Sequence, residues 1–136
     1  MVRIPFRIYF AEPSVGTLQH LTDRQKTILT CLLTRHDNGF VREKMVRQLL
    51  LQDADFWTAP FVVQLLGEYV LEIIHAVQEG IQPKHREIYA EFLHQNPKFH
   101  ALTRARLASY RACYHRHPFP TLAQYPGSLL LATLES

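Results

Sequence analysis

The chain has 136 residues, 47% hydrophobic and 20% charged, with a formal net charge of +3, 2 cysteines and 5 glycines. That length suits one compact domain able to bury a core without disulfides or metal. It has no run approaching the roughly 20 apolar residues of a membrane span, and its charge alone is too small to imply nucleic acid.

Cys31 and Cys113 sit far apart inside helical patterns, which reads as thiols of a reducing compartment rather than a disulfide framework. The start, MVRIPFRIYF, carries Arg3, Pro5 and Arg7 and so lacks the apolar core of a signal peptide. A cytoplasmic protein with no membrane attachment is the expectation. Charge is segregated along the chain: residues 1–50 hold 8 Lys/Arg against 4 Asp/Glu, 51–97 hold 2 against 7, and 98–136 hold 5 against 1. An acidic middle between basic flanks can pair inside the fold or be displayed to partners.

Residues 2–10 alternate Val2, Ile4, Phe6, Ile8 and Phe10 with polar or ring residues, a period-two pattern that predicts an extended arm within residues 1–12. It has no strand to join, so it is expected to pack along helices or pair with another chain. A first helix over 23–36 is signposted by Thr22 and Gln25, spaced as a capping box, and by Asn38-Gly39 as its stop. Ile28, Leu29, Leu32, Leu33 and His36 fall on its apolar face, opposite Asp23, Thr27, Thr30 and Thr34. A second helix, 40–52, carries Val41, Met45 and Leu49.

The stretch 57–79 then reads as one long central helix, entered at Pro60 and ended by Gly80 and Pro83. Gln64, Glu68, Glu72, His75 and Glu79 form its polar stripe, and nearly all the rest is apolar. A fourth helix covers 83–95 and a fifth 97–117, the latter stopped by Pro118 and Pro120. Residues 118–127 read as loop, with a short terminal helix from Ser128.

Within DNGFVREKMVRQLLLQDADFWTAPFVVQLL, residues 37–66, stand Asp37, Val41-Arg42, Leu49, Pro60 and Leu65-Leu66. This order resembles one HEAT-type repeat. The resemblance implies paired antiparallel helices, an arginine bonded to an acidic group of a neighbouring turn, and a bias toward interaction roles. A second unit at a fixed period is not found.

Several groups are candidates for chemistry. Glu68, Glu72 and His75 on the central helix, and Glu87, Glu91 and His94 on the next, repeat one spacing. Glu-x-x-His on facing helices can hold two iron or manganese ions, which makes Glu72, His75, Glu91 and His94 metal candidates. Both stripes lie opposite the apolar faces, however, so a solvated or salt-bridged stripe is the preferred reading and no cofactor is expected. Glu68, Glu72, Glu79, Glu87 and Glu91 form an acidic candidate surface.

The fifth helix carries Lys98, Arg104, Arg106, Arg111 and Arg116 and no acid. Arg104, Arg111 and His115 share a stripe with His100 that could track phosphates, or could meet an acidic stripe internally. Phe99, Leu102, Leu107, Tyr110, Cys113 and Tyr114 form its apolar face. Arg106 falls within that face, so a buried ion pair with Glu68 or Glu72, or a bond to a helix-end carbonyl, is predicted.

The sequence thus predicts an all-α domain spanning 1–136, with five to six helices in HEAT-like hairpins around a central long helix. The expected role is a non-enzymatic scaffold binding another protein or itself. An RNA- or DNA-binding accessory module using 97–117 is the alternative, and a metal-binding helical protein the third reading.

Overall fold

A computed structural model describes residues 2–136, which contain α-helices and 3-10 turns and no strand. The helices are α1 (Val15–Leu18), α2 (Asp23–Leu33), α3 (Gly39–Leu50), α4 (Ala59–Gln64), α5 (Leu71–Gly80), α6 (Pro83–Gln95), α7 (Pro97–Tyr114) and α8 (Pro126–Glu135). The all-helical reading holds, with eight helices in place of five or six. None is long and apolar enough to cross a membrane.

The capping box of α2 forms as its spacing predicts. Gln25 N donates to Thr22 Oγ1 at 3.1 Å, and Thr22 N donates to the Gln25 side chain at 2.9 Å. The helix ends at Leu33, three residues earlier than expected. Asn38 does not stop it; its side chain accepts from Phe40 N at 2.9 Å and starts α3. The buried face of α2 is also rotated: Thr30, Cys31 and Leu33 are inside, while Ile28 and Leu32 are 42% and 36% exposed. The hydroxyls return to their own helix, Thr30 to the Lys26 carbonyl at 2.8 Å and Thr34 to that of Cys31 at 2.6 Å. With those bonds made, burying the threonines carries little penalty.

The expected long helix is broken. Residues 56–58 and 65–67 are 3-10 turns, and the chain leaves the helix at Glu68, whose φ of −92° and ψ of 153° are extended. A Cβ on Gly67 would lie 3.1 Å from Arg106 Cβ, so α7 crosses closely at the break. Two carbonyls freed there have partners: that of Tyr69 faces His115 Nε2 at 2.7 Å, and that of Glu68 accepts from the Tyr125 hydroxyl at 3.4 Å. A helix interrupted inside a core needs such replacements, because a buried orphan carbonyl is costly.

The two pieces still form the centre. Val62, Val63, Leu65, Leu66, Ile73, Ile74, Ala76 and Val77 have no exposed surface. Around them α5 packs on α3 and α8, α4 packs on α6, and the 65–67 turn packs on α7 and α8. The chief neighbours of α3 are α2 and α5. The terminal helix begins at Pro126, slightly ahead of expectation, and buries Leu130, Leu131 and Leu134.

Candidate interaction site

The N-terminal arm is held by polar contacts. Ile8 N donates to the Arg35 carbonyl at 2.9 Å, and Asp37 N donates to that of Ile8 at 3.0 Å, an isolated parallel bridge across the α2–α3 turn. Asn38 N donates to His36 Nδ1 at 3.0 Å, which leaves Nε2 to carry the proton toward the Phe10 carbonyl. The arm therefore packs along helices, one of the two expected outcomes. Its alternation slips, for Val2, Ile4 and Ile8 are half-buried whereas Phe6 and Phe10 are 61% and 65% exposed.

Behind the arm lies a buried charge cluster. Glu68 Oε1 accepts from Arg7 Nη2 at 3.1 Å and Arg42 Nη2 at 3.2 Å. Arg42 also donates to the carbonyls of His36 and Asp37, at 2.9 and 3.0 Å. Arg35 donates to the carbonyls of Pro5, Phe6 and Thr34. Burial, and after it the repulsion of Arg7, pull the Arg35 guanidinium down to about 10, against the opposing effect of Glu68; Arg42 and Arg106 add to the lowering. Positive charge thus exceeds negative charge on this side of the molecule. One carboxylate, exposed by only 4%, is shared by guanidinia from two different elements.

This corrects the reading of Glu68 as part of a solvent-facing stripe. The break turns it away from Glu72, which stays exposed on α5. The arginine that Glu68 neutralises in the interior is Arg42, on α3. Arg106 is half-buried and makes no ion pair or side-chain hydrogen bond among the described residues, so the predicted pair does not form. Its stem lies over Gly67, and α7 has no acid of its own to offer it.

The predicted apolar face of α7 is also mostly outside. Phe99 and Leu107 are buried, whereas Leu102 and Tyr114 are 50% and 65% exposed and Cys113 is exposed. The main neighbours of the helix are α6, α8 and the 65–67 turn, and they leave part of its apolar sector uncovered. Lys98, Leu102, Arg106, Tyr110 and Tyr114 consequently trace a stripe, spaced four apart and roughly 24 Å long at 1.5 Å per residue, that winds around α7 by about 40° at each step. At its far end Tyr69, Tyr110 and Tyr114 pack on one another, with ring centroids 5.7, 5.8 and 6.1 Å apart. Tyr114 is thus a surface residue rather than core.

At the near end the stripe meets the arm. Val2, Arg3, Ile4 and Phe6 face Gln64, Lys98, Phe99, Leu102 and Arg106 across a groove of about 240 Å³. Arg3 and Lys98 are exposed and, like Arg106, have no acidic partner among the described residues.

The basic stripe expected on α7 is engaged within the chain. Arg104 and His100 both reach Glu135 of α8, the His100 contact being 2.6 Å. Arg111 donates to the carbonyls of Phe119 and Pro120 at 3.0 and 3.2 Å, fixing the loop before α8. His115 holds Tyr69 and stacks on Tyr125 at 5.8 Å. The counter-charge is therefore the terminal helix, not the acidic middle. Among the acids, Glu79 pairs with Arg47 at 2.8 Å, while Glu72, Glu87 and Glu91 are exposed. His75 and His94 are exposed on α5 and α6, and no three His, Cys, Asp or Glu among the described residues stand close enough to hold a metal ion.

Sequence reasoning missed the groove because half of it comes from the arm, whose position depends on Arg35 and Glu68. The spacing of Lys98, Leu102 and Arg106 was the available signal. Comparison with known protein families, with curated proteins and with solved structures finds no match for the chain.

Proposed function

We propose that the chain is a protein-interaction domain that binds through the face shared by its N-terminal arm and α7. The observation that carries this reading is the mixed stripe of α7, where Leu102 stays in water between Lys98 and Arg106 and Tyr114 stays in water at the far end. Phe6, which lines the groove, extends the same apolar exposure onto the arm. Exposed apolar groups gathered on one face, with polar groups between them, are the usual composition of a docking surface. The bond from Arg42 to Glu68 is of the kind that the HEAT resemblance implies, and it favours a helical scaffold, although α3 leans on α2 and α5.

The test is capture of a native partner from lysate by the tagged chain and two variants. Leu102→Asp changes an exposed residue of the proposed face, and Glu87→Lys changes an exposed residue of α6. Wild type and Glu87→Lys are expected to retain the same protein, and Leu102→Asp to lose it. Retention of nucleic acid in place of protein, or equal capture by all three, would overturn the reading.

A further inference from the structure

We infer that the groove between arm residues 2–6 and the start of α7 takes an acidic peptide segment carrying a bulky aliphatic side chain between its carboxylates. This rests on the protein-interaction reading above and names the chemistry of the partner.

Three features converge. The lining is largely apolar, with Val2, Ile4, Phe6, Phe99 and Leu102, and the volume of about 240 Å³ admits a side chain or two rather than a folded surface. The same lining carries three cations, Arg3, Lys98 and Arg106, which lack acidic partners among the described residues. Beside it Arg7, Arg35 and Arg42 outnumber Glu68, so the local field favours an incoming anion. Carboxylates alternating with aliphatic groups satisfy the apolar and the cationic lining together, and charge complementarity then fixes the register of the segment.

The same features disfavour single-stranded nucleic acid as the occupant. Stacking needs free ring faces. The tyrosines farther along α7 pack on one another, and the Arg7 guanidinium lies 5.1 Å from the Phe6 ring centre, covering one face.

Fluorescence anisotropy with synthetic probes tests the inference. The probes are a short peptide alternating glutamate and leucine, the same peptide with lysine for glutamate, one with serine for leucine, and an oligouridine. The Glu-Leu peptide is expected to bind best, about fivefold or more weakly to Lys98→Glu, and more weakly still as salt rises from about 50 to about 500 mM. Lys98 is exposed and makes no ion pair, so its reversal leaves the fold intact. Equal binding of the Lys-Leu peptide, indifference to Lys98→Glu, or tighter binding of oligouridine would overturn the proposal. If Lys98→Glu still captures the native partner while Leu102→Asp loses it, the acidic segment is wrong and the interaction face stands. If neither variant alters capture, both fail.

Discussion

The two ends of α3 sit in different kinds of interior. Toward its C-terminus Leu49 and Leu50 join a continuous apolar core with α4 to α8, in which nearly half of the buried side chains have no exposed surface at all. Toward its N-terminus the apolar cluster shrinks to Leu33, Val41 and Met45, and cohesion comes from Arg35, Arg42 and Glu68, all buried. The first interior is non-directional and tolerates conservative exchange. The second depends on individual bonds, because a buried guanidinium without its acceptor is an uncompensated charge. Since the second interior also seats the arm, the proposed binding groove inherits its sensitivity.

The largest expected effect is Glu68→Gln. It leaves Arg42, 1% exposed, without a counter-charge and removes the anchor of Arg7. Loss of one partner from a buried pair costs about 3–5 kcal/mol, measurable by urea unfolding. Hydrogen exchange should also rise at the amides of Ile8 and Asp37, which bridge the arm to the α2–α3 turn. Unchanged protection there would mean that the arm is held without the charge cluster, and the contrast between the two interiors would weaken.

Leu66→Ala probes the other interior. This side chain is fully buried at the crossing of the 65–67 turn with α7 and α8. A cost of about 3 kcal/mol is expected from lost transfer energy and the residual cavity, with exchange at Ile8 and Asp37 moving only as global stability falls. A selective loss of arm protection in this variant would show that the two interiors are one cooperative unit.

The same contrast explains what could be read from the sequence. Apolar periodicity located the centre at 57–79, and caps and prolines located most helix starts, because these signals are local. The break at Glu68 was hidden, since Leu65, Leu66, Val70 and Leu71 keep a helical pattern across it. What ends the helix is tertiary: the close passage of α7 over Gly67, the bonds of His115 and Tyr125 to freed carbonyls, and the arginines from the arm and α3 that hold Glu68. The rotation of α2 has a local origin instead, because threonines that bond their own helix can replace Ile28 and Leu32 on the inner face. The groove was legible as a spacing on α7 and illegible as a site, since its second wall is the arm.

The smallest effect separates exposed charge from buried charge. Burial alone would raise the Glu135 carboxyl, but its hydrogen bonds with Arg104 and His100 outweigh this and hold it below the ordinary carboxylate range. A depressed folded pKa means that the stabilisation is present above the unfolded value, about 4.3, and is lost as pH falls through the folded value. Arg104→Ala should therefore move the Glu135 titration upward, as followed by carboxyl NMR, and bring the acid loosening of α8 to higher pH. Because Arg104 is 58% exposed, solvent screens the pair and neutral-pH stability should hardly change. An Arg104→Ala loss as large as that of Glu68→Gln would place α8 under the same charge control as the arm; a small one confines that control to the α2–α3 side, where a partner's carboxylates would meet it.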